Sequence, residues 1–102
     1  MSVEPIFEFR FSAATREEGF HLAQAIGNDM PSTEGYLDHQ VIQDVEDPGH
    51  VVVITRWGTR SQADAVLTAY NNTPKIQRAT ELLSGPPSGF VGSCTWPCRK
   101  PH

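Results

Sequence analysis

Four histidines, two tyrosines, two tryptophans and two cysteines are the side chains here best suited to proton transfer, metal ligation or redox work. His39 is the first candidate, because a neutral imidazole can remove or relay a proton near neutral pH. If the surrounding hairpin turns about Pro48, cross-strand partners sum to 96, which sets His39 opposite Trp57 on one face. Trp57 closes its strand, where an indole can either fill a core or wall a pocket. Tyr70 can pack its ring on the apolar side of a helix while offering its hydroxyl to a ligand. His21, His50 and His102 have no ligand spacing, and neither His-x-His nor His-Glu-x-x-His occurs, so no metal is expected. Cys94 and Cys98 are separated by three residues, Pro97 among them, which is neither a redox Cys-x-x-Cys nor a zinc pair. The expectation is a buried Cys94 thiol and a free Cys98, with a local disulfide as the alternative. There is no Ser-His-Asp set and no glycine-rich phosphate loop; Gly85-Pro86-Pro87 reads as a helix stop.

These residues are positioned by a legible succession of elements. Pro5–Phe11 alternates Phe7, Phe9 and Phe11 with Ile6, Glu8 and Arg10, the period of two of a pleated strand with one aromatic face. Thr15-Arg16-Glu17-Glu18 has the form of a capping box and opens a helix with an apolar stripe of Phe20, Ala23, Ile26, Gly27 and Met30, ending near Asn28 because Pro31 disfavours helical geometry before it. A strand from Gly35 to Val45, a turn at Asp47-Pro48-Gly49 and a strand from His50 to Trp57 make a β-hairpin. Ser61 and Asp64 can cap a second helix carrying Ala63, Val66, Leu67 and Tyr70. Asn71 to Pro74 interrupts it, a short helix follows to Leu83, and Gly89–Thr95 is the last strand. The order β-α-β-β-α-α-β is the ferredoxin-like, split βαβ arrangement: an α+β fold with a four-stranded antiparallel sheet and helices on one face. The domain is expected over residues 1–95, with 96–102 as a C-terminal tail.

At 102 residues, 38% apolar and 20% charged, the chain suits one compact domain. A net charge of −4 without a Lys/Arg cluster argues against nucleic acid as a partner, and no apolar run is long enough to span a membrane. The N-terminus lacks a basic segment followed by an apolar stretch, so a cytoplasmic location is expected. Charge is uneven: residues 1–50 hold two bases against ten acids, and residues 51–102 hold six bases against two. Either these are solvated faces of one domain, or Arg56, Arg60, Lys75 and Arg78 gather at an anionic ligand.

Both faces of the strands carry apolar side chains: Val51, Val53 and Trp57 point one way, Val52 and Ile54 the other. Ile6, Tyr36, Ile42 and Val91 add to a surface that two or three helices cannot wholly cover. A second copy of the chain is the simplest cover, so a homodimer is expected.

The stretch Gly35-Tyr36-Leu37-Asp38-His39-Gln40-Val41-Ile42-Gln43, its turn at Asp47-Pro48 and the run His50 to Trp57, followed by the helix from Ser61 through Tyr70 to Thr73-Pro74, resembles the central hairpin and next helix of the antibiotic biosynthesis monooxygenase family. The similarity extends over roughly residues 5–95. It implies a dimeric α/β barrel whose protomers each hold a small-molecule pocket between sheet and helices, and an oxygenase that works on aromatic or polyketide-like substrates with no flavin, metal or other cofactor. In that resemblance Trp57 matches a pocket tryptophan. Val53 stands where monooxygenase members carry an asparagine four residues before it, and Phe9 stands where haem-degrading relatives carry one. With no histidine in the matching second-helix region, haem cleavage is disfavoured. The implied small apolar or aromatic ligand would touch Trp57, Tyr70, Val53 and Phe9, with His39 as the candidate base. The same barrel also supports non-catalytic binding modules and isomerases or cyclases.

Overall fold

The computed structural model describes residues 2–71 and 73–95. The proposed tail at 96–102, with Cys98 and His102, lies outside the described residues. The elements run β1 (Glu4–Arg10), α1 (Arg16–Asp29), a 3₁₀ turn (Met30–Ser32), β2 (Tyr36–Gln43), β3 (His50–Trp57), α2 (Arg60–Tyr70), α3 (Pro74–Leu82) and β4 (Ser88–Gly92). The strands form one antiparallel sheet in the order β2-β3-β1-β4, the ferredoxin-like topology expected from the sequence.

Alternation along the central strands sorts the sheet into two faces. Phe7 lies opposite Val53 and Phe9 opposite Val51. From this face Phe9, Val51 and Val53 pack with Phe11, Ala23 and Leu82, while Trp57 packs with Ile26, Met30, Ala63, Val66 and Ala79 under α1, α2 and α3. The other face carries Ile6, Ile42, Val52, Ile54 and Phe90, of which Ile42 is 47% and Phe90 65% exposed. Tyr36 and Val91 do not belong to it: Tyr36 pairs with Trp57 and packs on the helical side, and Val91 pairs with buried Pro5.

The capping motifs read at two helix starts are replaced, at α1 by tertiary partners and at α2 by a neighbouring residue. The capping box at Thr15 and Glu18 does not form. Thr15 Oγ1 instead donates to the Leu82 carbonyl at 2.9 Å, and Glu18 accepts two bonds from Arg78 at 2.8 and 3.0 Å, so both residues tie α1 to α3. The cap of α2 is Thr59 rather than Ser61: its hydroxyl accepts from the Gln62 N–H, and Asp64 pairs with Arg60. Asp44 caps the β2–β3 turn by accepting from Glu46 and Asp47. The hairpin pivots about Asp47, and a side chain at Gly49 would collide with the Phe11 carbonyl, an approach only glycine permits.

The four cations considered for an anionic ligand are distributed over separate ion pairs. Arg56 meets Asp38, Arg60 meets Asp64, Lys75 meets Asp29, and Arg78 meets Glu18 and Glu81. They do not converge on one site. Cys94 is half-buried and disulfide-bonded, in place of the buried free thiol expected from the sequence. No helix of the described residues is long and apolar enough to cross a membrane, and those residues contain no cluster of potential metal ligands.

On the open face His50 sits between two carboxylates, Nε2 at 2.8 Å from Glu8 and Nδ1 at 3.2 Å from Asp44. Glu8 and then Asp44 raise the imidazole pKa above its ordinary 6.5. The carboxyls are held below their usual range, Glu8 chiefly by His50 and Asp44 chiefly by the Glu46 N–H and then His50. Stabilisation from the raised histidine is complete below its unfolded pKa and is lost as pH rises through the folded value; that from the carboxyls is lost as pH falls through theirs. The cluster should therefore contribute most near pH 5 to 6 (roughly, from the ordinary values of the groups). Thermal melts should show the wild type losing about 3 °C more than His50→Gln between pH 6 and pH 8.5. Parallel curves for the two proteins would show that the cluster is energetically silent.

Candidate functional site

Between the aromatic face of the sheet and the helices lies a cavity of about 230 Å³. At roughly 30 Å³ per water this is space for seven or eight waters, or one compact ring system. Phe7, Phe9 and Val53 form its floor, and Ile26 of α1, Met30 of the 3₁₀ turn and Leu67 of α2 form its walls. Tyr70 and Asn71 end α2 at the cavity, and Ile76, Thr80 and Pro87 complete it. The walls are overwhelmingly apolar because the odd-numbered positions of β1 and β3 deliver only Phe and Val here. The Thr80 hydroxyl donates to the Ile76 carbonyl at 2.8 Å, and no buried side-chain polar atom among the described residues lacks a partner. Tyr70 and Asn71 thus carry the side-chain polar atoms left for a ligand.

Of the residues singled out from sequence, Phe9, Val53 and Tyr70 share this cavity, whereas Trp57 and His39 do not line it. Trp57 is fully buried one layer away, its indole N–H donating to Thr55 at 2.9 Å and its ring meeting Tyr36 edge-on at 5.9 Å. His39 pairs with Thr55, two residues from the partner expected, because the hairpin pivots one residue earlier than Pro48. A shift of two preserves the face, so His39 still lies on the helical side with Trp57. There α1 crosses it: a side chain at Gly27 would come within 2.9 Å of the imidazole. Nδ1 lies 2.6 Å from the Tyr36 hydroxyl, so the ring is fixed by a tyrosine that sequence inspection did not connect to it. Burial, then Asp38, raises the pKa of that tyrosine.

The polar feature at the cavity is one the sequence did not announce. Tyr70 Oη donates to Asp29 Oδ2 at 2.5 Å, and Lys75 Nζ donates to the same oxygen at 2.6 Å. Lys75 and then Tyr70 hold the Asp29 carboxyl below its usual range, while burial and Asp29 push the Tyr70 phenol well above its own. Asp29 is therefore ionised and Tyr70 protonated at neutral pH, which fixes the direction of the hydrogen bond. Tyr70 also walls a second, shallower groove of about 400 Å³ along the outer side of α2, which includes Thr33, Glu34, Gln62 and Ala69. The groove and the cavity thus share Tyr70 in their linings.

No curated protein sequence matches the chain. Solved structures do match. Rv0793 from Mycobacterium tuberculosis superposes with a TM-score of 0.76 at 17% identity, covering 97% of this chain and 100% of its own. A conserved protein from Methanosarcina mazei Go1 gives 0.72 at 14% identity over 89% and 90% of the two chains. SnoaB, a cofactor-independent oxygenase from Streptomyces nogalater, solved as its N63A mutant, gives 0.69 at 17% over 94% and 97%. At such identities these likenesses establish the fold. The family model for antibiotic biosynthesis monooxygenase matches residues 6–82, every element from β1 through α3, and on that match the chain belongs to the antibiotic biosynthesis monooxygenase family.

Proposed function

We propose that the chain is a cofactor-independent oxygenase that encloses a small hydroxyaromatic or polyketide-like ring in the cavity over Phe9 and Val53, with Tyr70 at its polar end. The observation that carries this reading is the cavity itself: a partly open apolar space between sheet and helices, with few polar groups to orient a ring. Family membership and the oxygenase among the structural neighbours support it. An ionised electron-rich ring can itself donate electrons to dioxygen. For a ring methylene, one oxygen atom ends as the new carbonyl and the other leaves as water, which balances without a flavin or metal. The chain's part is to hold the ring flat against the phenylalanine floor and to exclude water from the reactive carbanion and peroxide.

The protomer is expected to work as a homodimer, its open sheet face covered by a second copy. Ile6, Val52, Ile54, Ile42 and Phe90 give that face an apolar patch beside the His50 cluster, and light scattering that reports a lone protomer at high micromolar concentration would remove this element.

A second reading, a non-catalytic module that binds the same class of ligand, is favoured by Val53 on the cavity floor and by the withdrawal of His39 beneath Gly27. One experiment separates the two. Candidate hydroxyaromatics are incubated with the protein under ¹⁸O₂ and, in parallel, under argon. The oxygenase reading expects one labelled oxygen in the product and no turnover under argon. Binding without product establishes the module, and turnover under argon points to an isomerase or cyclase.

A further inference from the structure

Tyr70 is the one residue shared by the cavity wall and the outer groove, and its hydroxyl proton is committed to Asp29. A phenol has one proton to donate and lone pairs to accept with. Once the proton is held by a carboxylate, the oxygen can meet a ligand only as an acceptor, and the pull of the ionised partner makes it a better one. Lys75 anchors the same carboxylate oxygen, so Asp29 cannot readily turn away and release the proton. Asn71, the neighbouring polar group, can present either its oxygen or its NH₂ and so does not discriminate. Discrimination falls to Tyr70.

We propose that Asp29, acting through Tyr70 and held by Lys75, sets the ligand preference of the cavity: a ring hydroxyl is accepted at the Tyr70 oxygen, and a ring carbonyl in the same place is disfavoured. Asp29 and Lys75 are positioning residues in this scheme, and Tyr70 is the contact. A carbonyl at that point would place two acceptors face to face, with no proton between them to share. For an oxygenase that converts a hydroxyl-bearing ring into a more oxidised one, the consequence is directional. The reduced compound is retained and the oxidised compound released. The inference rests on the cavity being the ligand site, and the test keeps the two claims apart.

Calorimetric titration of the full chain with 1-naphthol and with 1-tetralone compares a hydroxyl and a carbonyl on bicyclic frames of similar size. The wild type is expected to bind 1-naphthol about three- to tenfold tighter, the difference one net hydrogen bond makes. Tyr70→Phe keeps the ring and should abolish the preference by weakening 1-naphthol alone. Asp29→Ala frees the Tyr70 proton and should abolish it in the opposite way, by strengthening 1-tetralone. Asp29→Asn retains an acceptor oxygen and should preserve the preference, an outcome that a merely structural role for Asp29 does not predict. Equal wild-type affinities for the two compounds, or a ratio unchanged in Tyr70→Phe or Asp29→Ala, overturn the proposal and leave the cavity as a binding site. If neither compound binds the wild type, the cavity reading fails and the proposal falls with it.

Discussion

Trp57→Ala is expected to destabilise the protein by about 3–5 kcal/mol, a loss that would bring a domain at the low end of ordinary stability close to its unfolding midpoint. The indole is wholly inaccessible, joins Ile26, Met30, Ala63, Val66 and Ala79 into one cluster, and satisfies its N–H on Thr55. Truncation would therefore open a cavity and orphan the Thr55 hydroxyl together. Trp57→Phe retains most of the apolar volume and should cost only about 1–2 kcal/mol. It also decides between two roles for the residue. A packing residue leaves the affinity of the folded Phe variant for a cavity ligand within about twofold of wild type; a pocket wall does not. Chemical denaturation and calorimetry on the same preparation read both quantities. An affinity loss of tenfold or more in the Phe variant would restore Trp57 to the ligand site.

The split between what sequence conveyed and what it did not follows the range of the interactions. Alternation through Val51, Val52, Val53 and Ile54 assigned faces correctly because the pleat is local and its period is two. That parity also kept His39 on Trp57's side although its partner is Thr55, since an error of two residues in the pivot leaves the face unchanged. How deep each residue sits, and what crosses it, depends on where α1 lies. No local pattern shows that Gly27 lets the helix press on His39, and the Tyr36 hydroxyl reaches its Nδ1, three residues along the same strand, through a register shift between Tyr36 and Asp38 that strict alternation does not foresee. Thr15 and Glu18 have the spacing of a capping box, but Leu82 and Arg78, 67 and 60 residues away, offer the two side chains other partners. The contrast in charge between the halves has the same origin. Glu18 with Arg78, Asp29 with Lys75 and Asp38 with Arg56 each join the acidic half to the basic one. What resembled a prospective anion site is a set of complementary helix and strand faces meeting in the fold. Asp29, Tyr70 and Lys75 belong to that class, since their encounters span 41 and 46 residues and carry no motif.

Val53→Asn probes the cavity from its floor and should have opposite effects with and without ligand. Val53 is 2% exposed, lies opposite Phe7 and Val41, and faces the cavity among apolar groups. An amide there finds no side-chain partner on the floor, so the ligand-free protein should lose about 1–3 kcal/mol, the cost of desolvating an unsatisfied polar group. The cavity is large enough for water to relieve part of this, which places the expectation toward the lower figure. A bound hydroxyaromatic brings an oxygen to the same space. If a second ring oxygen, beyond the one held at Tyr70, reaches the amide, saturating 1,5-dihydroxynaphthalene should raise the melting temperature of Val53→Asn by more than it raises that of the wild type, because binding then also satisfies the stranded group. The oxygenase reading adds a kinetic expectation: an amide on the floor can stabilise negative charge developing on the substrate oxygen, so turnover under air should increase, by roughly tenfold or more for a hydrogen bond made mainly in the transition state. A variant that is destabilised, regains nothing from the ligand and turns over no faster would mean that the ring does not lie over Val53, and the site would have to be sought in the outer groove along α2.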